Sequence, residues 1–547
     1  MEYRSADPDL DLPSGRLDEY LLEVTARFDP GRVAVLDRST GRSVTYGDLP
    51  GEVSRLAGAL QRWGISPSDV VAVHLPNGVE YAVLALALSR CGAAMTPVSI
   101  VGTAEEISRQ LTATAAVAVV TDVRVAAVGV AAAEAAGLAL SRVVMVGDDL
   151  SAAGDCSAEV TSWTSLAGGD GPDDVAGDVP VDPAAAAACL PMSSGTTGLP
   201  KPVWLTHRAL TANVVQFASA LDWPAEQTTL AFLPFSHVYA MSTVLFGGLA
   251  RGDTIVTMPR FHVADAVDVV EQEQVTMAFI VPPVATILAA HPSADPDRLH
   301  SLQLVISGAA PLDPAVARAI AVRLGVDVLQ GYGLTEMAPV THVMRPGTRM
   351  PLDSVGTAVP GVVFRVVDPV SGVDVDPVEQ GRTAPGELWV RGPNMMSGYV
   401  GAPEATAVII DEDGWLHTGD MVTVDAAGCV TIVARLKELL KCHGYQVAPA
   451  ELEALLREYP GVSDAAVVGV PVEDSTDERP YALVVRGVSA GSGPSEEGLL
   501  QYVADRTARY KHLAGVTFVD AVPRDPSGKM RRRDLSALVP VTSVPAR

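Results

Sequence analysis

The sequence contains few cysteines, and none of them form a CxxC pair. The five cysteines are scattered along 547 residues, at Cys91, Cys156, Cys189, Cys429 and Cys442. An odd and dispersed set argues against a disulfide framework. We therefore expect reduced thiols in a cytoplasmic protein, each behaving as a small buried apolar side chain.

Long apolar runs and an excess of positive charge are also missing. No apolar stretch approaches the roughly 20 residues that a membrane-spanning helix needs, and the opening segment MEYRSADPDLDLP is acidic, unlike a secretion signal. The formal net charge is −26, which argues against a surface that coats nucleic acid. We expect neither a membrane nor a nucleic-acid partner, although a local basic pocket for an anionic ligand remains compatible with an acidic exterior.

The composition and the rhythm of the chain indicate a large α/β protein. Hydrophobic residues make up 48% and charged residues 19%, which is typical of globular proteins. Helix-like and strand-like segments alternate over residues 44–145 and again from about 189 to 335, which predicts parallel sheets covered by helices. In the first of these stretches, YAVLALALSRCG is typical of a buried helix, and Thr103 with Glu106 predicts a capping box at the start of the next helix. Residues 147–182 are rich in Gly, Asp, Ser and Pro, and we interpret them as a surface connection.

The pattern changes in the last third of the chain. Short β segments with turns fill residues 355–433, and a mixture of helices and strands begins near residue 436. A chain of this length needs more than one core. We predict an α/β fold with a large N-terminal region of mixed α/β sheets plus a β-rich subdomain, residues 1–434, and a small mobile α+β domain, residues 435–547.

The segment MSSGTTGLPKPVWLTH, residues 192–207, combines hydroxyls, glycines and one lysine. It follows a short apolar run and precedes a helix, which predicts a loop at the carboxyl end of a strand, where α/β sheets hold ligands. Backbone N–H groups and the charge of Lys201 suit a phosphate chain. It is not a Walker A loop, since Lys201 lies between two prolines. The alternative is a flexible surface turn.

Two further short segments carry candidate ligand-binding groups. In QGYGLTE, residues 330–336, Tyr332 could stack on a flat base, Thr335 could donate to a phosphate, and Glu336 could hold Mg²⁺. In DGWLHTGD, residues 413–420, Asp420 is suited to accept hydrogen bonds from sugar hydroxyls. The alternatives are a plain turn for the first segment and a turn aspartate for the second.

Positive charge gathers in two places near the end of the chain. RLKELLKCHGYQVAPAELE, residues 435–453, places Arg435, Lys437 and Lys441 where the pattern changes, with a solvated helix face as the alternative. PRDPSGKMRRRDL, residues 523–535, holds Lys529 in a Pro/Gly loop, with a basic tail as the alternative.

These five segments, in this order, resemble the adenylate-forming superfamily of acyl-CoA synthetases, adenylation domains and luciferases. The resemblance extends over nearly the whole chain. The segments PFSHVYAM, SGAAPLD, QGYGLTE and GYQVAPAELE are most similar to the 4-coumarate–CoA ligase branch, which handles aromatic acids. The resemblance implies an ATP-dependent, AMP-forming ligase that uses Mg²⁺ and, as co-substrate, CoA.

The resemblance also implies roles for particular residues. The loop is expected to grip the β- and γ-phosphates of ATP, the next segments to hold adenine and ribose, and the residues after the domain junction to serve the thiol step. This cofactor-binding set comprises Ser193, Ser194, Gly195, Thr196, Thr197, Gly198, Lys201, Gly308, Ala309, Ala310, Gly331, Tyr332, Gly333, Asp420, Arg435, Lys441, Gly444 and Gln446.

The implied catalytic set is smaller, and Lys529 is its centre. This lysine contacts both the acid carboxylate and the α-phosphate, Glu336 binds Mg²⁺, and Thr335 and His237 complete the set. The acid is expected to contact His237, Tyr239, Thr243, Ala309 and Gly333. The alternative for His237 is a core histidine with satisfied hydrogen bonds. After adenylation the small domain is expected to swing about residues 434–435, which replaces Lys529 by the face Lys441–Gly444.

Four residues depart from the family pattern. Pro202 replaces a glycine after the loop lysine and stiffens the exit of the loop, Ala434 replaces an aspartate before the hinge arginine, and Cys442–His443 replaces a Tyr-Lys pair. These changes motivate alternative acceptors to CoA: a carrier-protein thiol, an amine, or nitrite in the diazotisation of an aryl amine. A non-enzymatic binding homologue is a further alternative. We expect a monomer or a homodimer.

Overall fold

The computed structural model describes residues 1–147, 149–167, 179–193, 200–378, 380–442, 445–472, 478–487, 493–524, 530–540 and 543. Contacts divide the chain into two units. The larger unit contains Glu2–Phe364 and Val390–Leu416, and the smaller contains Met1, Arg365–Trp389 and His417–Arg547. The predicted boundary between residues 434 and 435 marks where the small domain is expected to swing, and it stays a prediction.

The strands are short, as expected for buried parallel sheets. They are β1 (Tyr3–Arg4), β2 (Val33–Asp37), β3 (Ser43–Thr45), β4 (Val70–His74), β5 (Ala94–Pro97), β6 (Ala118–Asp122), β7 (Val143–Val146), β8 (Thr161–Ser162), β9 (Ala187–Cys189), β10 (Met192–Ser193), β11 (Lys201–Thr206), β12 (Thr228–Ala231), β13 (Thr254–Thr257), β14 (Met277–Ile280), β15 (Leu304–Ser307), β16 (Asp327–Gly333), β17 (Val340–Val343), β18 (Thr357–Ala358), β19 (Val363–Val367), β20 (Gly386–Arg391), β21 (Gly398–Tyr399), β22 (Leu416–Val424), β23 (Val430–Arg435), β24 (Leu440–Cys442), β25 (Tyr445–Val447), β26 (Val462–Pro471), β27 (Glu478–Arg486) and β28 (Val516–Phe518).

The helices follow the periodic apolar segments of the sequence. They are α1 (Leu17–Thr25), α2 (Leu49–Arg62), α3 (Val79–Arg90), α4 (Ala104–Thr114), α5 (Ala126–Ala135), α6 (Trp163–Ala167), α7 (His207–Leu221), α8 (Val238–Ala240), α9 (Gly247–Arg251), α10 (Val263–Glu273), α11 (Pro282–Ala290), α12 (Pro314–Leu324), α13 (Pro403–Ile409), α14 (Pro449–Arg457), α15 (Glu496–Ala504) and α16 (Arg532–Leu535). A π-helical segment, Met241–Phe246, joins α8 to α9.

Local sequence signals explain where several helices begin and how far they are buried. Thr103 and Glu106 form the predicted capping box at the start of α4, with the Thr103 hydroxyl accepting the Glu106 N–H. The near-continuous apolar run of α3 is buried from Val79 to Ser89. Within the described residues, no helix is both long and apolar enough to cross a bilayer.

Two sheets of the larger unit hold its core. The first has the order β10-β11-β9-β5-β4-β6-β7-β8, with β21 paired to β11, and the second has the order β18-β17-β16-β15-β14-β12-β13-β2-β3. Strands β4 to β7 pair in parallel, and so do β2 and β12 to β16. The predicted α/β class is thereby confirmed.

The second sheet brings distant segments to one edge. Because β12, β14, β15 and β16 are parallel neighbours, their carboxyl ends meet at the same side of the sheet, which is where α/β folds bind ligands. The segments that follow three of these ends contain His237, Gly308–Ala310 and Thr335–Glu336. Three of the sequence-predicted motifs therefore share one edge.

The smaller unit is built from antiparallel pairs and a three-stranded sheet. Strand β22 pairs antiparallel with β23, β24 pairs with β25, and a separate sheet has the order β26-β27-β28. Helices α14 and α15 cover this last sheet through an apolar cluster that includes Leu452, Leu456, Leu499 and Val503. This agrees with the α+β pattern read from the end of the sequence.

Two local expectations are corrected by the structure. The segment 192–207 precedes a helix as expected, since α7 begins at His207, but it is not one continuous loop: its second half is β11, which pairs antiparallel with β10 so that Ser193 lies opposite Lys201. The helix-face alternative for residues 435–453 also fails, since β24 and β25 occupy its middle. Runs of β-branched and aromatic residues such as PVWLT favour strands over helices.

Candidate active site

The turn that carries Glu336 is held by two buried asparagines. Asn394 donates from Nδ2 to the Met337 carbonyl over 2.6 Å, and Asn213 of α7 exchanges two hydrogen bonds with the backbone of Val340, at 2.7 and 3.0 Å. Both side chains are almost fully buried. Glu336 itself is only 9% exposed, so its carboxylate is fixed in a part of the protein that water reaches poorly.

Two neutral hydroxyls bind the Glu336 carboxylate. Ser193 donates from Oγ over 2.5 Å and Tyr399 donates from its hydroxyl over 2.7 Å, and both hydrogen bonds go to the same carboxylate oxygen, Oε1. Burial, and then the negative charge of Glu336, raise the pKa of Tyr399, so this phenol remains a donor. No cationic side chain of the described residues forms an ion pair with Glu336.

Lys201 lies beside the two side chains that donate to Glu336. It begins β11 opposite Ser193, and its Nζ lies 5.8 Å from the centre of the Tyr399 ring, within the range of a cation–π interaction. The hairpin thus brings the first and last members of the predicted phosphate loop together. The predicted loop residues Ser194, Gly195, Thr196, Thr197 and Gly198 lie outside the described residues.

The segment before Glu336 needs one glycine for steric reasons. A Cβ at Gly333 would lie 2.1 Å from the Pro339 carbonyl oxygen, whereas one at Gly331 would meet nothing closer than 3.7 Å. Tyr332 lies opposite His342 in the β16–β17 pair, with their ring centres 6.0 Å apart. Its predicted stacking on adenine stays a prediction.

Two of the residues predicted to border the acid, Tyr239 and Ala309, lie at the end of β15. The ring of Tyr239 lies so close to Gly308 that a Cβ there would be 2.8 Å from Cζ, and its hydroxyl donates to the Ile306 carbonyl over 3.3 Å. Thr243 donates from Oγ1 to the Tyr239 carbonyl over 2.7 Å. Thr243 belongs to the π-helical segment, a feature that often marks functional sites.

His237 and Ala309 occupy unusual local positions. His237 is half-buried at the start of α8, where its Nδ1 accepts the Tyr239 N–H over 3.2 Å. Ala309 has a left-handed φ of 68°, which costs energy for a residue with a Cβ and is typical of strained functional loops. Ala310 follows it and is half-buried. Contact of these residues with an acid stays a prediction.

In the smaller unit, Asp420 and Arg435 form a cross-strand ion pair. They are partners in the β22–β23 register, with Arg435 Nε 2.9 Å from Asp420 Oδ1. Asp420 is 2% exposed, and its N–H donates to Thr418 Oγ1, whose hydroxyl donates to the Leu388 carbonyl. The structure therefore fixes this carboxylate beside a cation, and its predicted contact with ribose stays a prediction.

The remaining predicted residues lie on β24 and β25 or beyond the description. Lys441 is exposed and lies opposite Gln446 in the pair. Cys442 is fully buried with Leu440 and Val447 in the apolar core of this unit. Its thiol is therefore a core side chain and is not exposed on the surface. Gly444 and Lys529 lie outside the described residues.

The Glu336 carboxylate suits a small hard cation that also binds oxygens of a ligand. Within the described ranges, no three His, Cys, Asp or Glu side chains gather to hold a metal. A Mg²⁺ ion binds proteins through one or two carboxylates and completes its shell with phosphate and water oxygens. Glu336, whose Oε2 accepts no hydrogen bond from a described residue, fits that pattern.

Sequence reasoning missed the residues that hold Glu336. Tyr399 lies in MMSGYVGAPEAT, between the predicted motifs. Asn213 offered a signal, because it and Gln216 are polar residues among the apolar residues of α7. For Asn394 and Tyr399 we find no local signal, since their partners are 54 or more residues away in the sequence.

Comparison with known families places both ends of the chain in one enzyme family. The family model described as AMP-binding enzyme matches residues 22–400, and the model described as AMP-binding enzyme C-terminal domain matches residues 451–529. Among curated proteins, 4-coumarate–CoA ligase 5 of Oryza sativa subsp. japonica is 39% identical over 546 residues, which cover 98% of this chain and 97% of that protein.

Solved structures give the same result. ATP-bound MatB from Rhodopseudomonas palustris superposes with a TM-score of 0.84 at 28% identity, covering 96% of this chain and 99% of that one. The amide bond synthetase McbA from Marinactinospora thermotolerans superposes with a TM-score of 0.83 at 29% identity, covering 95% and 99%. The predicted resemblance to adenylate-forming enzymes is confirmed.

Proposed function

Since the chain belongs to the AMP-binding enzyme family, in its 4-coumarate–CoA ligase-like branch, we propose that it activates an aromatic carboxylic acid with ATP. The product of the first step is an acyl-AMP, and the acyl group then passes to CoA. The observation that carries the proposal is the buried Glu336 carboxylate, which lacks a cationic partner among the described residues and lies with Ser193 and Lys201 at the phosphate loop.

The first step joins two anions. An oxygen of the acid carboxylate attacks the α-phosphorus of ATP, the bond to the β-phosphate breaks, and pyrophosphate leaves. Lys201 and the hairpin hold the phosphates, and Lys529 contacts both the carboxylate and the α-phosphate. Catalysis then rests on positioning and on offsetting negative charge. Mg²⁺ bound by Glu336 supplies positive charge to the phosphate oxygens.

We assign the nucleoside to two further groups of residues. Gly308, Ala309, Ala310, Gly331 and Tyr332 hold adenine, and Asp420 and Arg435 hold the ribose hydroxyls. Asp420 is suited to this role because Arg435 already offsets its negative charge. It can therefore accept a hydrogen bond from a neutral hydroxyl without also binding a metal ion.

The acid is proposed to be cinnamate-like or benzoate-like. Its pocket is formed by His237, Tyr239, Thr243, Ala309 and Gly333. Support comes from the half-buried Tyr239, whose ring lies against Gly308, and from relatives that are named 4-coumarate–CoA ligases.

The second step requires an exchange of residues at the same site. Residues 435–547 are proposed to rotate about the junction at 434–435, which withdraws Lys529 and presents Lys441, Gly444 and Gln446 to the thiol of CoA. Ala434 lies buried in a small apolar cluster with Met421 and Ala448. A rotation there would act on the ion pair between Arg435 and Asp420, which lies at this junction.

An amine is the second candidate acceptor. The likeness to an amide bond synthetase over 95% of the chain favours it, and so does Cys442, which replaces a larger polar residue of the family pattern and is buried. A carrier-protein thiol and nitrite are further alternatives. A cytoplasmic location and a monomeric or homodimeric state are part of the same proposal.

The test is a panel of aryl acids with ATP and one acceptor at a time: CoA, ammonia or a primary amine, or nitrite with an aryl amine. We expect AMP and an acyl-CoA mass with CoA. An amide in its place selects the second candidate, whereas AMP formed only with nitrite and an aryl amine rejects the CoA proposal.

A substitution of Lys529 tests whether this lysine takes part in adenylation. Lys529→Ala is expected to abolish acid-dependent release of pyrophosphate, because Lys529 is the cation that we propose to contact both reacting groups, the acid carboxylate and the α-phosphate. Lys511→Ala is the matched control, since Lys511 is a lysine of the same unit that pairs with Glu451 instead. Unchanged pyrophosphate release by Lys529→Ala would reject the assignment.

A further inference from the structure

The segment 396–400 connects β11, the strand that follows the predicted phosphate loop, to the turn that contains Glu336. Ser397 and Val400 donate their N–H groups to the carbonyls of Trp204 and Pro202 on β11, each over 3.0 Å. One residue earlier, Met396 donates to the Glu336 carbonyl over 2.8 Å. The segment therefore bonds, through its backbone alone, to the strand that begins with Lys201 and to the candidate metal ligand.

Tyr399 is the side chain of this segment that faces both partners. Its hydroxyl donates to Glu336 Oε1 over 2.7 Å, and its ring has Lys201 Nζ at 5.8 Å. Its backbone is fixed by pairing with Val203 and by an N–H that donates to Thr406 Oγ1 over 2.9 Å. A side chain so anchored can set the direction of the carboxylate.

We infer that Tyr399 is a positioning residue that orients Glu336 toward a metal ion and Lys201 toward the phosphates. The inference rests on the proposed function. The Tyr399 and Ser193 hydroxyls are neutral, so they hold Oε1 in place without offsetting its charge. The full charge of the carboxylate is thus kept for a cation at Oε2.

The ring and the hydroxyl of Tyr399 do separate work. The hydroxyl orients the carboxylate, and the ring provides a negative face for the lysine ammonium. Tyr399→Phe removes the first interaction and keeps the second. Tyr399→Leu removes both. The two variants therefore distinguish the metal from the phosphate contribution.

The experiment measures Mn²⁺ binding by electron paramagnetic resonance, with the full chain and a non-hydrolysable ATP analogue. Losing one hydrogen bond to a carboxylate of this kind is expected to weaken Mn²⁺ binding about fivefold in Tyr399→Phe. Affinity for the analogue without metal, measured by calorimetry, is expected to stay within twofold. Tyr399→Leu is expected to weaken that metal-free affinity as well, about threefold.

Tyr46→Phe is the matched control. Tyr46 is also buried and donates one hydrogen bond, to the Asp253 carbonyl over 2.7 Å, away from Glu336. It is expected to lose stability but not Mn²⁺ affinity. Ser193→Ala gives a second route to the same oxygen if Tyr399→Phe fails to fold, and it is expected to weaken Mn²⁺ binding by a similar factor.

The outcomes separate the inference from the proposed function. Equal Mn²⁺ affinity in the parent and Tyr399→Phe, in an enzyme that forms AMP from an acid, overturns the inference alone. Weaker Mn²⁺ binding in the variant, with no AMP from any acid in the panel, overturns the proposed reaction and supports the positioning role. A parent that binds no Mn²⁺ with the analogue overturns both.

Discussion

Two buried carboxylates of this protein, one in each unit, have opposite surroundings. Glu336 accepts hydrogen bonds from two neutral hydroxyls, whereas Asp420 forms an ion pair with Arg435. Both are less than a tenth exposed. A buried charge without a partner is costly. A cation from solution would therefore stabilise Glu336, whereas Asp420 already has Arg435.

The difference supports the roles that we propose for the two carboxylates. A metal ion is bound best where a carboxylate keeps its whole charge and a fixed direction. A sugar hydroxyl needs only an acceptor, and an acceptor whose charge is offset by arginine does not attract a metal. The two surroundings thus separate a metal-binding role from a hydroxyl-binding role on physical grounds.

The largest expected effect comes from removing the charge of Glu336. Glu336→Gln keeps an oxygen for both hydroxyls but cannot offer a negative charge to Mg²⁺. We expect acid-dependent AMP formation to fall about 1,000-fold, or about 4 kcal/mol of transition-state stabilisation. Pyrophosphate release at saturating ATP and Mg²⁺ measures it. A loss of less than tenfold would mean that the metal is held elsewhere.

The second prediction concerns the acid stability of the larger unit. Burial lowers the pKa of His74 to about 4 from 6.5. Between those values the unfolded chain binds the proton and the folded chain does not, so the stabilisation is complete above about pH 6.5 and is lost as pH falls toward 4. We expect about 3 kcal/mol of unfolding free energy to disappear across that window.

Urea unfolding at pH 7 and pH 4.5 measures this loss. His74→Gln is the control, because glutamine can keep the hydrogen bond to Thr121 but does not titrate, and its loss over the same window should be smaller. His207 and His342, whose pKa values burial lowers to about 4 and about 3, add to the background in both proteins. An identical pH dependence in the variant contradicts the prediction.

A smaller effect is expected from Asp420→Asn. The variant removes the charge beside Arg435 but keeps one acceptor for a ribose hydroxyl. We expect the KM for ATP to rise about tenfold, equivalent to one charge-assisted hydrogen bond, with kcat little changed. Mn²⁺ affinity should stay at the parent value, in contrast to Glu336→Gln. A joint loss of Mn²⁺ binding would erase the distinction between the two carboxylates.

The smallest effect is expected from Arg435→Gln. The variant leaves the buried Asp420 without its cation, but the glutamine amide can still donate one hydrogen bond to it and the arginine side chain is 45% exposed, so we expect the free energy of unfolding to fall by only about 1 kcal/mol. We expect a two- to threefold rise in the KM for ATP, from a less well oriented Asp420. Thermal unfolding and initial rates measure both. A loss larger than that of Asp420→Asn would reverse the assigned roles.

Local sequence patterns predicted much of the fold. The capping box of α4, the buried run of α3 and the strand–helix alternation depend on neighbouring residues, and the structure confirms them. The helix expected after residues 192–207 is confirmed as well. The strand β11 within that segment was not expected, because its pairing with β9 and β21 determines its conformation, and those partners lie elsewhere in the chain.

The candidate site divides in the same way. Glu336, Lys201 and Asp420 were identified from short motifs, since charge, glycine and hydroxyl patterns are visible in the sequence. The hydrogen bonds from Asn213, Asn394 and Tyr399 were not, because each joins residues 54 to 127 positions apart. No local pattern records such a distance.

By itself, the sequence determined which chemical groups are available: one lysine in a phosphate loop, one acidic residue after a strand, and an aspartate suited to a sugar. Only the tertiary structure decided what surrounds each of them. It gave Glu336 hydroxyls and Asp420 an arginine, because burial and strand register, which depend on the whole chain, determine whether a carboxylate keeps its charge or shares it.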